Sequence, residues 1–193
     1  MSITNEKFVS IKSKYGHMSS WAIWANKSIK EKSNMDDISF FDNIKDIKFN
    51  PNIILVGLNI SEKIKRPFGN FHSENSSAHD YKIRYAVKDT IIWGSYMTDI
   101  IKDFEEKVSN NLMKYLRDNP EFLKENINSF EDELKYIGSN NPILIAFGND
   151  CYKLLIDNFK NKYLVYKVSH YSSCISKEKL RDEFSEIIQK ITF

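Results

Sequence analysis

The hydrophobic pattern changes character near residue 50. From there, short continuous apolar runs stand at Ile53-Ile54-Leu55-Val56, at 143–147 (Ile-Leu-Ile-Ala-Phe) and at 163–168 (Tyr-Leu-Val-Tyr-Lys-Val), with a weaker one over Ile91–Met97. A continuous run, as opposed to an alternating one, is how a strand covered on both faces of a parallel sheet reads. Each run ends at a break: Gly57, Gly148, Ser169-His170 and Thr98-Asp99.

Helical periodicity fills the intervals. After Asn119-Pro120, a cap-then-proline start, Phe122, Leu123, Ile127, Phe130, Leu134 and Ile137 form one stripe that halts at Gly138. Asn149 can cap a helix carrying Tyr152, Leu155 and Phe159, and Ser176 one with Leu180, Phe184, Ile187, Ile188 and Ile191 inward. His79-Asp80 and Lys82–Tyr85 read as a helix start with a basic face. Strands alternating with helices predict βαβ units, right-handed crossovers and a parallel sheet with helices on both faces. Residues 1–50 are polar with scattered aromatics. Trp21, Trp24 and Ile29 suggest a short helix packed on the main body, and Asp36–Asp46 reads as loop.

Composition narrows this only modestly. The 193 residues suit a single domain spanning 1–193, with 1–50 as its N-terminal extension. A formal net charge of +2 neither announces nor excludes a nucleic-acid partner. The two cysteines, Cys151 and Cys174, are too few for a disulfide framework, a zinc site or a four-cysteine iron–sulfur cluster, so no metal and no cofactor is expected. Without a secretory signal or an apolar run of membrane-spanning length, the expected setting is cytoplasmic, with no membrane partner. Oligomeric state stays open.

In open parallel sheets, ligands bind beyond the carboxyl ends of the strands, which directs attention to the run-ending residues. Gly57-Leu58-Asn59 would let backbone N–H groups approach a ligand; taken alone, it reads better as a turn in which Asn59 bonds its own backbone. No phosphate-binding loop or dinucleotide fingerprint occurs anywhere in the chain. His170 directly follows a buried run and precedes Tyr171-Ser172-Ser173, hydroxyls suited to phosphate oxygens. Lys177, Lys179 and Arg181 add positive charge downstream or form a solvated helix face. The turn-rich Pro67–His72 could bring Phe71 over a ligand ring or cover the core. No serine elbow occurs, and no cysteine nucleophile is expected: Cys151 falls in the first turn of a helix, and Cys174 has no dedicated base beyond nearby His170.

Together the motifs Gly57-Leu58-Asn59-Ile60-Ser61 and His170-Tyr171-Ser172-Ser173 resemble those of the uracil-DNA glycosylase superfamily, nearest its mismatch-specific branch with a G-x-N motif. Tyr96–Ile101 and Phe147–Tyr152 resemble its intermediate segments, so the likeness in order covers roughly residues 52–191. The resemblance implies a three-layer α/β/α sandwich around a four-stranded, mainly parallel sheet. It also implies a DNA partner whose target nucleotide is flipped into a pocket between the motifs, where the N-glycosidic bond of a damaged or deaminated base is hydrolysed. The alternative is a non-catalytic nucleic-acid or nucleotide-binding protein of the same fold. Asn59 matches the position that places the attacking water, and His170 the donor to the departing base. Ser172 matches the phosphate-holding serine, and Phe71 the aromatic under the base. Gly57, Leu58 and Ser61 would line the pocket, and Ile175 would wedge into the DNA stack.

The chemistry suits those residue types. Breaking an N-glycosidic bond leaves cationic character on the sugar and negative charge on the base, which a donor aimed at the base stabilises. The chain also departs from the family pattern. Ile60 and Tyr171 replace motif prolines, and Asp99 stands where the family commonly reads uracil with asparagine. An ionised aspartate offers acceptors only. The expectation is therefore a base edge rich in N–H donors, such as cytosine's amino group or guanine's N1–H and N2 amino, and no preference for uracil.

Overall fold

The structure, a computed structural model, describes residues 3–25, 32, 37–44, 47–73, 75 and 77–192. Strands β1 (Ser19–Trp21), β2 (Asn50–Gly57), β3 (Ser95–Asp99), β4 (Ile143–Phe147) and β5 (Leu164–Val168) form one sheet in the order β1-β3-β2-β4-β5. The helices are α1 (Asn5–Tyr15), α2 (Asp80–Val87), α3 (Ser109–Asp118), α4 (Pro120–Tyr136), α5 (Asn149–Phe159) and α6 (Lys177–Ile191).

Strand side chains alternate between the two faces, so the central strands feed two cores. Ile54, Val56, Tyr96, Leu144 and Ala146 face a core completed by Phe8 and Ile11 of α1, Leu112 and Leu116 of α3, Phe130 and Leu134 of α4, and Leu155 and Phe159 of α5. Ile53, Leu55, Met97, Ile145 and Phe147 face the other, completed by Ile83, Ala86 and Val87 of α2 and Leu180, Phe184 and Ile187 of α6. Because both faces are covered, β2 and β4 read as unbroken apolar runs. Their registers, Ile53↔Ile143 through Val56↔Ala146, put Gly57 beside Phe147 and Gly148 at one end of the sheet.

The sheet has five strands, not the expected four. The fifth, β1, pairs antiparallel with β3 (Ser19↔Thr98, Trp21↔Tyr96). Ser-Ser-Trp is too short and too polar to read as a strand, and edge pairing is what makes it one. Trp21 thus lies in a strand, not the expected helix; the helix is α1, upstream. Ile29 lies outside the described residues. Within Asp36–Asp46 the chain makes a 3-10 turn, Ser39–Asp42, that buries Phe41; Asp36, Lys45 and Asp46 lie outside the described residues. Ile91–Trp93 belong to the turn closed by Gly94 (φ +85°), so β3 starts at Ser95. The outermost strand β5 is half-covered, with Leu164 59% exposed. Gly148 (φ +84°) occupies the cap position expected of Asn149, whose Oδ1 instead accepts from Lys167 Nζ at 2.8 Å. Ser176 caps α6 as its sequence position suggests, its Oγ accepting from Lys179 N at 3.1 Å. Among the described residues no helix is long and apolar enough to cross a membrane.

Candidate functional site

The carboxyl ends of β2, β3, β4 and β5 open onto one cleft of about 1120 Å3, wider than a typical small-molecule pocket. Gly57, Leu58, Asn59, Ser61, Phe71, Asp99, His170 and Ser172 all line it. Ile175 does not; it is half-buried against the core shared by α2 and α6.

Gly57 ends β2 opposite Asp99 of β3. A Cβ on Gly57 would collide with Asp99 Oδ1 and crowd Phe71 Cζ at 3.2 Å, so only glycine admits the carboxylate and the ring there together. Asp99 is 3% exposed, and burial pushes its carboxyl up to about 6, partly opposed by an Asn70 hydrogen bond and by the charge of Lys102. Asn70 Nδ2 donates to Asp99 Oδ2 at 2.8 Å and to Met18 O at 3.0 Å.

Asn70 and Phe71 are delivered by a tight turn with two left-handed non-glycine residues, Phe68 (φ +63°) and Phe71 (φ +62°). Such backbone costs about 1–3 kcal/mol per residue and persists where its surroundings enforce it. The enforcement comes from the N-terminal segment: Phe68 N donates to Gly16 O (2.6 Å), Ser20 Oγ to Phe68 O (2.8 Å), and Asn70 to Met18 O.

Asn59 Nδ2 lies 2.8 Å from Ile60 O, 2.9 Å from Phe104 O and 2.8 Å from Glu106 O. Three carbonyls fix the nitrogen inward, so Oδ1 is the amide's remaining functional atom, an acceptor fit to orient water. The clamp has backbone support where Ile100 N donates to Gly57 O, Ile101 N to Leu58 O and Glu106 N to Ile60 O. Asn59 thus joins the two strand-end loops, beyond the local turn bond expected of it alone.

His170 Nδ1 accepts the Ser172 backbone N–H at 3.2 Å and lies 2.7 Å from Ser172 Oγ. With Nδ1 an acceptor, the neutral ring carries its hydrogen on Nε2. Burial favours the same state by lowering the imidazole below its usual range. The ring stacks on Tyr171 at 4.5 Å and 21°, and its Cβ packs 3.4 Å from where a Cβ on Gly148 would stand. Ser172, exposed at the cleft, thus holds the His170 ring through both its backbone N–H and its hydroxyl.

Phe71, Phe147 and Tyr171 form an aromatic floor with centroids 6.1, 6.2 and 5.3 Å apart. Asp80, 5% exposed, also lines the cleft; Ser73 N donates to its Oδ2 at 2.7 Å, and burial raises its carboxyl. Sequence reasoning missed Asn70 and Asp80; the turn 67–72 drew attention through Phe71, while Asp80 read as the first residue of a helix. The basic groups nearest the cleft mouth are Lys63, Lys65, Arg66 and Lys107. Of the three expected downstream of His170, Lys179 is exposed on α6 and two pack on the fold. Lys177 and Arg181 cover the Tyr85 ring at 4.7 and 5.5 Å, and Arg181 Nη1 donates to Tyr85 O at 2.8 Å. Among the described residues no three His, Cys, Asp or Glu side chains are grouped to hold a metal ion.

Compared with known proteins, the chain matches no family model and no curated sequence.

Proposed function

We propose that the protein hydrolyses the N-glycosidic bond of a base in DNA, in the manner of the uracil-DNA glycosylases its motifs resemble. The observation that carries this reading is the convergence of Asn59, Asp99 and His170 on one cleft, with the His170 proton on Nε2. The base would lie over the Phe71 ring. Nε2–H would then meet an oxygen of the departing base, where negative charge develops only as the bond breaks; such a donor is worth about 3–4 kcal/mol. Asn59 Oδ1 would hold the attacking water. An amide orients water but is a poor base, so bond breaking must run ahead of nucleophile activation.

The experiment is incubation with duplex and single-stranded oligonucleotides carrying single altered bases, scoring free base and alkali-labile sites. Both products are expected. His170→Ala should lower the rate by about 100- to 1,000-fold, and the Asn59→Ala/His170→Ala double variant should abolish it. Salt-sensitive DNA binding with no product would instead mark a binding protein of the same fold. One observation favours that second reading: the Asn59 amide nitrogen is committed to three backbone carbonyls, a structural task that needs no chemistry.

A further inference from the structure

We propose that Asp99 and Asn70 together select a base with a guanine-type pairing edge, in its positively charged N7-alkylated form. This rests on the glycosylase reading and names its substrate class. Asn70 Nδ2 sits between Met18 O at 3.0 Å and Asp99 Oδ2 at 2.8 Å. Only a donor fits between two oxygens, so the amide orientation is fixed and its unspent atom is Oδ1. Asp99 likewise has Oδ2 engaged and Oδ1 remaining, lodged over the bare Cα of Gly57. Both residues line the cleft. On the wall that the two residues contribute to the cleft, the atoms left over, Asn70 Oδ1 and Asp99 Oδ1, are both acceptors, with both donors of the Asn70 amide already used.

Pairing edges sort cleanly against such a wall. Uracil presents one N–H between two carbonyl oxygens. Cytosine and adenine each set a single amino group beside a ring nitrogen acceptor. Guanine alone has two adjacent donors, N1–H and the N2 amino, followed by the O6 acceptor. O6 is the atom that the neutral His170, a donor through Nε2, can meet.

The rest of the cleft favours positive charge on that base. Phe71, Phe147 and Tyr171 line the cleft together, and an aromatic face that meets a base attracts positive charge on it. Two buried carboxylates, Asp99 and Asp80, line the same cleft. An N7-alkyl group makes the guanine ring cationic and sharpens its N1–H and N2–H donors. It also relieves the weak point of the site. As the water oxygen bonds to C1′, the C1′–N9 bond breaks and its electron pair returns to the ring, cancelling the positive charge. The base leaves neutral, and the proton shed by water passes to solvent. Such a leaving group needs no strong base, which Asn59 is not.

The test compares release of 7-methylguanine, guanine and uracil from otherwise identical duplexes. In parallel, direct binding of 7-methylguanosine and of uridine is measured by calorimetry. Release of 7-methylguanine should exceed that of uracil by about tenfold or more, and 7-methylguanosine should bind tighter than uridine by a similar factor. Asp99→Asn restores a donor to the wall and should shift both ratios toward uracil. Preferential release of uracil by the unaltered protein overturns the selection and leaves the glycosylase reading standing. Preferential binding of 7-methylguanosine without release of any base upholds the selection and overturns the glycosylase reading. Equal binding of the two nucleosides, with no release, overturns both.

Discussion

Two buried carboxylates flank the end of β3, and they are treated oppositely. Glu133 of α4, fully buried, accepts from Tyr96 Oη at 2.7 Å and Thr98 Oγ1 at 2.9 Å, and pairs with Lys102 Nζ at 2.5 Å. Lys102, 7% exposed, also donates to Thr98 Oγ1 at 2.6 Å. Asp99, the next residue along β3 and lining the cleft, has one side-chain donor among the described residues, Asn70. Filled acceptor capacity inside a core fastens helix to sheet. Unfilled capacity beside a cleft is an invitation to a ligand, at a cost to the empty protein.

The comparison can be broken most forcefully at Glu133. Glu133→Ala leaves Lys102 charged, buried and unpaired, so the unfolding free energy should drop by about 3–5 kcal/mol in denaturant titration. Restoration of part of that loss by adding Lys102→Met would identify the stranded charge as the cause. A loss below about 1 kcal/mol would put the two carboxylates on the same footing.

Asp99 predicts the opposite sign. The unfolded chain ionises this carboxyl near 3.8 and the folded protein near 6. Between those values the folded state keeps a proton that the unfolded state has lost, so this group's contribution falls as pH rises from about 4 to 6 and stays low above. The span is about 3 kcal/mol. The stability difference between Asp99→Asn and the unaltered protein should therefore widen in favour of the variant across that window. A flat difference would show a carboxylate as well partnered as Glu133.

Smaller effects sharpen the picture at the motifs. Asn59→Ala should cost about 1–2 kcal/mol by taking the amide donor from the Phe104 and Glu106 carbonyls, while Ile60 O keeps the Glu106 N–H, and chemical denaturation will read it. The least perturbing test is NMR titration of the His170 ring. It should protonate below the ordinary 6.5. Ser172→Ala should leave the Nε2–H tautomer in place, because the backbone N–H of residue 172 still meets Nδ1.

What the sequence made legible follows from burial. Strands β2 and β4 are covered on both faces, so their runs at 53–56 and 143–147 and their terminal glycines could be read directly. Strand β1 could not, because three residues at a sheet edge carry no period of their own. Asn59 and His170 were legible by position after a strand. Asn70 was not, because its meaning depends on Met18 and Asp99, distant in sequence and joined only by the fold. The Lys102–Glu133 pair was hidden for the same reason: either residue alone reads as ordinary surface charge on a helical or loop segment.

The strap between residues 16–20 and the turn at 66–70 has a consequence for where this molecule begins as a working unit. The motif likeness starts at residue 52, and a boundary drawn there would look natural. It would remove the Gly16 and Met18 carbonyls and the Ser20 hydroxyl, and with them the ties that hold Phe68 and Asn70 in place. The N-terminal quarter is therefore part of what shapes the cleft, and a trimmed chain would keep both motifs yet lose the ties that hold Asn70 against Asp99.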